Sequence, residues 1–214
     1  MFSAPSAERF VKQIFLDEVS GPGMSCGPSF GHYSLSPPRG SVLVGIAPST
    51  ANLWLSTLEA SGQIVLLEPW FSNRTKSIVK SPKLYLADTG LLCTLLNVRS
   101  AEALRESPAA GAIWETFVFA QMRARERRAA RGGSLFFWRD RTREVDFVVD
   151  VGGRLELLEA KWTELPSERD VVNLDHVRRV EGKSKTVRGA VVARTPHGYL
   201  LPNGFRAQPV SDFG

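Results

Sequence analysis

The sequence has few cysteines and no long apolar run. Cys26 and Cys93 lie far apart and belong to no C-x-x-C pair or Cys/His cluster, so neither a zinc motif nor a disulfide framework is expected. No apolar run approaches the roughly 20 residues of a membrane span, and the first thirty residues contain no uninterrupted signal-peptide core. We therefore expect a soluble, cytoplasmic protein without a membrane partner.

A phosphate loop of the form G-x-x-x-x-G-K-[ST] is also missing, so we expect no ATP as cofactor. Apolar residues make up 43% of the 214 residues, which is enough to bury a core in one domain or two small ones. The formal net charge of +5 permits attraction to a polyanion such as nucleic acid, but it does not identify that partner.

The first 44 residues combine a short predicted helix with an irregular segment. Apolar residues recur at helical spacing over 6–18. Residues 20–40 are crowded with Gly, Pro and Ser, which follow neither the helical nor the strand period. We expect residues 20–44 to be poorly packed.

Residues 45–100 have the outline of a winged helix. Pro48 suits the first position of an amphipathic helix that Gly62 ends. Residues 63–88 then alternate short β-rich runs with turn residues, which predicts a hairpin followed by one more extended segment. The expected exposed face of the helix is poor in Lys and Arg, and consists of Ser49, Asn52, Ser56 and Glu59. A small structural subdomain is therefore the alternative to DNA reading by this helix.

Residues 105–214 predict one α/β (α+β) domain with the element order αβββαβ. The expected elements are a helix at 109–128, strands at 134–139, 144–150 and 154–162, a helix from near Ser167, and a final strand at 186–193. Gly152 and Gly153 form a tight turn between the second and third strands.

Two of these strands carry a candidate active site. Alternation in EVDFVVD places Val145, Phe147 and Val149 on one face, while Asp146 interrupts the other face with a carboxylate. In LELLEAKW the same alternation makes Glu159 and Lys161 project together. A register that is symmetric about the Gly-Gly turn would place Asp146 opposite Glu159.

Facing carboxylates repel each other unless a cation lies between them, and Mg²⁺ or Mn²⁺ takes oxygen ligands of this kind. We expect Asp146 and Glu159 to be metal ligands and Lys161 to orient a water or stabilise charge on phosphorus. Glu115, on the first helix, is the fourth candidate catalytic residue. A plain ion pair between Glu159 and Lys161, with Glu115 on a solvated helix face, is the alternative.

Arginines are concentrated near this site in the sequence. Guanidinium groups grip phosphate oxygens and give sequence-independent affinity for nucleic acid, although a solvated helix end would have the same composition. The candidate nucleic-acid-binding residues are Arg123, Arg127, Arg139, Arg141 and Arg143.

Several of these stretches together resemble a known family. STANLWLSTLEASGQIVLLEPW, GAIWETFVFAQ, EVDFVVD and LELLEAKW are similar to the uncharacterised domain on the C-terminal side of bacterial and archaeal AAA-type ATPases, over roughly residues 45–200. The resemblance implies a PD-(D/E)-x-K nuclease-like, restriction-endonuclease-like fold that follows a winged-helix-like region. The chain departs from the family in lacking the ATPase module and a regular helical pattern at 20–44. Truncation of a longer ATPase, a frame disturbance in an ancestral gene and a natural short form are alternative explanations of both departures.

Three functions follow as expectations. The first is a Mg²⁺-dependent nuclease that hydrolyses nucleic-acid phosphodiesters. The second is a non-catalytic module of the same fold that binds DNA or a partner protein. The third is a remnant without independent function. Fold alone does not choose among them.

Overall fold

The computed structural model describes residues 47–71, 82–129, 133–182 and 186–213, which form two compact units. The described part of the first unit is 47–66 and 82–113, and the second contains 67–71 and the described residues from Trp114 onward. Helices and sheets are mixed, which confirms the α+β class. The expected helix at 6–18 and the irregular segment at 20–44 lie outside the described residues.

The first unit combines three short helices with a two-stranded sheet. Its elements are α1 (Pro48–Ala60), β1 (Ile64–Leu67), β2 (Lys83–Leu86), α2 (Thr89–Leu95) and α3 (Ala101–Glu106). Helix α1 begins at Pro48 as predicted, and Gly62, with φ of 74°, follows its end. The four polar residues expected on its exposed face are all exposed. The core of this unit consists of Ile64, Leu84, Leu86, Leu92, Ala109 and Ile113.

Helices α2 and α3 were not predicted from the periodicity, but each begins at a capping side chain. The Asp88 carboxylate accepts a hydrogen bond from the Leu91 backbone N–H at 2.6 Å. The Ser100 hydroxyl accepts one from the Ala103 N–H at 3.1 Å. Such caps satisfy donors that the first turn of a helix leaves free, and here they set where both helices begin.

The second unit contains the predicted order αβββαβ and then continues. Its elements are α4 (Ala110–Arg128, from Trp114), β3 (Ser134–Arg139), β4 (Glu144–Val151), β5 (Arg154–Lys161), a 3₁₀ turn (Glu168–Val171), α5 (Val172–Glu181), β6 (Thr186–Ala193), β7 (Tyr199–Leu200), β8 (Arg206–Gln208) and a second 3₁₀ turn (Val210–Phe213). The expectation that β6 is the last strand is therefore wrong. Strands β7 and β8 are too short to produce a detectable alternation in the sequence.

The strands of the second unit form one six-stranded sheet in the order β3-β4-β5-β6-β8-β7. Strands β3, β4 and β5 are antiparallel neighbours, whereas β6 is parallel to both β5 and β8. Helix α5 supplies the crossover that parallel pairing of β5 and β6 requires. No described helix is long and apolar enough to cross a membrane.

Helices α4 and α5 cover opposite faces of this sheet. On one face, Phe119 of α4 stacks on Phe147 with ring centroids 6.2 Å apart, and Phe147 lies opposite Leu158 across the β4–β5 ladder. On the other face, Leu157 packs in a core cluster with Leu174 of α5. Since Leu157 and Leu158 are consecutive in one strand, they point to different faces.

A β-bulge interrupts the pairing of β3 and β4. The pair Trp138–Val145 is shifted by one residue from the pair Phe136–Val148, so residues 146–147 together lie opposite one residue of β3. The plain alternation expected along β4 is therefore wrong at this point, because Val145 packs in the same core cluster as Val148. A bulge bends its strand locally and re-aims the side chains that it contains.

Candidate active site

The candidate residues meet at one end of the central strands. Strand β5 ends at Lys161, and its antiparallel partner β4 begins at Glu144. The register agrees with the one expected from the Gly-Gly turn, since the pair Phe147–Leu158 lies one step before Asp146 and Glu159. The sheet therefore brings the two carboxylates and Lys161 to the same place.

Asp146 is held by a backbone hydrogen bond as well as by the bulge. Its Oδ2 accepts a hydrogen bond from the Ala160 N–H at 3.0 Å, and the residue is 7% exposed. Because Ala160 lies between Glu159 and Lys161 in the chain, this bond orients the Asp146 carboxylate toward the strand that carries both of them.

Glu159 is the most deeply buried of the three, with 2% of its surface exposed. Its Oε2 accepts a hydrogen bond from Lys161 Nζ at 3.2 Å, while Oε1 is buried and has no hydrogen-bond partner among the residues that the structure describes. Burial raises the pKa of the Glu159 carboxyl well above its usual range, and the negative charge of Asp146 raises it further, against the opposing effect of Lys161.

Lys161 is surrounded by carboxylates. Burial alone would lower the pKa of its amine, but the charges of Glu159, Asp146 and Glu115 outweigh that effect and raise the pKa above its usual value. Lys161 is therefore held as an ammonium ion.

Glu115 reaches the same end of the sheet from helix α4, and only 2% of it is exposed. The adjacent Trp114 fixes the helix there, because its Nε1 donates a hydrogen bond to the Val192 carbonyl at 3.1 Å and its ring lies 5.7 Å from that of Trp162. The expectation that Glu115 could lie on a solvated helix face is therefore wrong.

Asp146 and Glu159 are the residues that could hold a cation. Within the described ranges, no group of three or more His, Cys, Asp or Glu residues is arranged to hold a metal. Two facing carboxylates are nevertheless what Mg²⁺ commonly uses, since it keeps several waters and takes further oxygens from a substrate phosphate. The buried Oε1 of Glu159, to which no described residue donates a hydrogen bond, is an oxygen that such an ion would satisfy.

The structure does not gather the five candidate arginines into one surface. Arg141 and Arg143 are exposed in the β3–β4 turn, at the site end of the sheet. Arg139 is occupied by an ion pair with Glu144. Arg123 and Arg127 lie about 12 and 18 Å further along α4 from Glu115, because each helical residue advances the axis by about 1.5 Å.

Sequence reasoning missed the ion pair of Arg139 with Glu144, although Glu144 lies two residues before Asp146. Glu144 is only 5% exposed. These residues end β3 and begin β4, and they are register partners. Opposite charges that flank a short turn were the signal that could have revealed the pair.

Comparisons with known proteins find two family models that each match part of this chain. The family described as domain of unknown function (DUF4143) matches residues 110–213, and a second, domain of unknown function (DUF8612), matches residues 40–102. The first match contains every candidate site residue named above.

Two curated relatives are the uncharacterized proteins Rv2008c of Mycobacterium tuberculosis and Mb2031c of Mycobacterium bovis. Each is 37% identical to this chain over 123 residues, which is 57% of this chain and 27% of the relative. The chain thus spans about a quarter of the length of these relatives. The crystal structure of protein VC1899 from Vibrio cholerae aligns with 100% of this chain and 55% of its own at 15% identity, but its TM-score of 0.35 supports no argument.

Proposed function

We propose that the second unit is a PD-(D/E)-x-K nuclease-like domain that binds one Mg²⁺ or Mn²⁺ ion and hydrolyses a nucleic-acid phosphodiester. The observation that carries this proposal is the meeting of Asp146, Glu159 and Lys161 at one buried end of the sheet, where the described residues supply no hydrogen bond to Glu159 Oε1. Two carboxylates and an ammonium group are the chemistry that a metal-assisted attack on phosphorus requires.

The topology supports the fold part of this proposal. A helix, three antiparallel strands, a crossover helix and a parallel strand follow one another, and β4 and β5 carry Asp146, Glu159 and Lys161. In the first unit, helix α1 precedes a two-stranded sheet, which supports a winged-helix-like region.

Each candidate residue then has a distinct role. Asp146 and Glu159 would hold the cation, which supplies Lewis acidity and a water of lowered pKa when it is bound. Lys161, held as an ammonium ion, would stabilise the negative charge that develops on the phosphoryl oxygens. Glu115 would help to keep Lys161 charged and in position.

A cleavage assay tests this function. The purified protein is incubated with labelled DNA and RNA, single-stranded and duplex, in Mg²⁺ or Mn²⁺. We expect cleavage by the wild type, none in EDTA, and a loss of at least about 100-fold in Lys161→Ala, as for other residues that stabilise transition-state charge. Arg105→Ala, which removes an exposed positive charge from α3, should cleave like the wild type. Equal cleavage by wild type and Lys161→Ala would refute the assignment.

A non-catalytic binding module is the second candidate. The ion pair between Lys161 and Glu159 favours it, because it occupies one of the two carboxylates with an internal cation. This alternative expects nucleic-acid or protein binding that is the same in Mg²⁺ and in EDTA, without any cleavage.

A further inference from the structure

Three exposed arginines occupy successive strands on one face of the six-stranded sheet. Arg154 lies on β5, Arg188 on β6 and Arg206 on β8, and all three line a groove of about 530 Å³. The groove also contains Thr186 and Gln208, whose side chains can donate hydrogen bonds.

The strand register places these arginines on a straight diagonal. Arg154 pairs with Thr186, two residues before Arg188, and Ala190, two residues after Arg188, pairs with Arg206. Each step therefore crosses one strand, about 4.8 Å, and advances two residues, about 6.6 Å, so consecutive Cα atoms are roughly 8 Å apart. Flexible arginine side chains at this spacing can reach consecutive phosphates of one nucleic-acid strand.

Two carboxylates lie near this diagonal: Glu156 lines the same groove, and Asp212 Oδ2 and Arg206 Nη2 both border Gly198. Glu156, the register partner of Arg188, is held instead by Arg125 through two hydrogen bonds of 3.1 and 2.6 Å. Such a fork-to-fork pair uses both carboxylate oxygens. None of the three groove arginines forms an ion pair with any residue in the described ranges.

The groove is separate from the candidate active site. Arg154 shares the face of Leu158 by alternation, whereas Glu159 lies on the opposite face. Along β5, Arg154 and Lys161 are the first and last residues, roughly 23 Å apart.

We propose that the diagonal of Arg154, Arg188 and Arg206 is a binding track for the phosphate backbone of nucleic acid. Guanidinium groups on separate strands can hydrogen-bond to phosphates without contacting the bases, so binding through the track is independent of nucleic-acid sequence. The inference goes beyond the proposed catalytic site, because the track needs no metal and works whether or not Asp146 and Glu159 are active.

Salt-dependent binding in EDTA tests the track without catalysis. Affinity for a fluorescent DNA duplex and for its single strand is measured by anisotropy over a range of salt concentrations. For Arg154→Gln, Arg188→Gln and Arg206→Gln, we expect weaker binding and a slope of log affinity against log salt that falls by about 0.9 per variant on duplex, or about 0.7 on single strands. Arg188→Lys should keep most of the slope.

Arg105→Gln is the matched control, because it removes one positive charge from an exposed helix of the first unit. It should leave the slope unchanged, and circular dichroism should show that every variant is folded. The proposal would be refuted if all three groove variants kept the wild-type salt slope, or if Arg105→Gln lowered the slope by the same amount as they do. Tighter binding of polyglutamate than of DNA would overturn it in favour of an acidic protein partner. A groove variant that cleaves normally but has a reduced salt slope would show that the track and the candidate active site act independently.

Discussion

The Asp146 carboxylate accepts a hydrogen bond from the Ala160 backbone N–H at 3.0 Å, beyond the last register pair of β4 and β5. A side chain thus continues the contact of the two strands where their backbone pairing ends. The bond ties Asp146 to the strand that carries Glu159 and Lys161. The β-bulge at residues 146–147 and this bond together explain how two carboxyl groups are held close to each other.

The metal-free protein should lose stability as the pH rises above the ordinary range of a carboxyl group. The raised pKa of Glu159 means that the folded protein keeps a proton that the unfolded chain releases near pH 4.5. The stabilisation from this group is complete below that pH. It then falls by up to about 1.4 kcal/mol per pH unit until the raised pKa is reached.

Urea unfolding in EDTA at a series of pH values measures this loss. Glu159→Gln removes the titrating group, so its unfolding free energy should depend less on pH over the same interval. Glu106→Gln removes an exposed carboxylate from α3 and should behave like the wild type. An identical pH profile for wild type and Glu159→Gln would show that Glu159 titrates normally.

Gly189 is predicted to tolerate no side chain. A Cβ at this position of β6 would lie 2.8 Å from the ring of buried Phe205 and 3.1 Å from the Leu157 carbonyl oxygen. We expect Gly189→Ala to lower the unfolding free energy by about 1–3 kcal/mol through overpacking. Gly111→Ala, where a helical Cβ meets nothing within 4 Å, should instead raise it by about 0.5–1 kcal/mol.

Ser167 begins the segment that leads into α5. Its hydroxyl and the Asp170 carboxylate form a capping box with the backbone of the 3₁₀ turn. Ser167→Ala should cost about 1 kcal/mol in urea unfolding. Ser56→Ala, on the exposed face of α1, should change stability by less than about 0.5 kcal/mol. If the two variants lose equal stability, the capping box has no special effect.

The central strands could be predicted because their signals are local. Gly152 and Gly153 both have positive φ, at 58° and 89°, which is the backbone that a two-residue hairpin turn requires. This turn fixed the register, and the register placed Asp146 near Glu159. The bulge could not be predicted, because it depends on how β4 fits against β3 and leaves no pattern in the sequence.

The positions of charged residues relative to one another were the second feature that the sequence did not predict, because these residues are far apart along the chain. Proximity in sequence suggested a single arginine cluster, yet α4 carries Arg123 and Arg127 away from the site while β3 and β4 keep Arg141 and Arg143 near it. The groove arginines lie on three strands and become neighbours only through the parallel pairing of β6. The order of residues along the chain does not reveal which strands pair.

Calorimetric titration of Mn²⁺ or Mg²⁺ into metal-free protein tests the central claim most directly, with Asp146→Asn as the variant. We expect one ion to bind the wild type and much weaker binding to the variant, because an uncharged amide oxygen is a poorer ligand for a hard cation. The variant should unfold in EDTA at the same temperature or higher, because removal of the Asp146 charge relieves its repulsion with Glu159 and so offsets the loss of the carboxylate. Glu106→Gln should bind like the wild type. Unaltered binding in Asp146→Asn, or no binding by the wild type, would contradict the account.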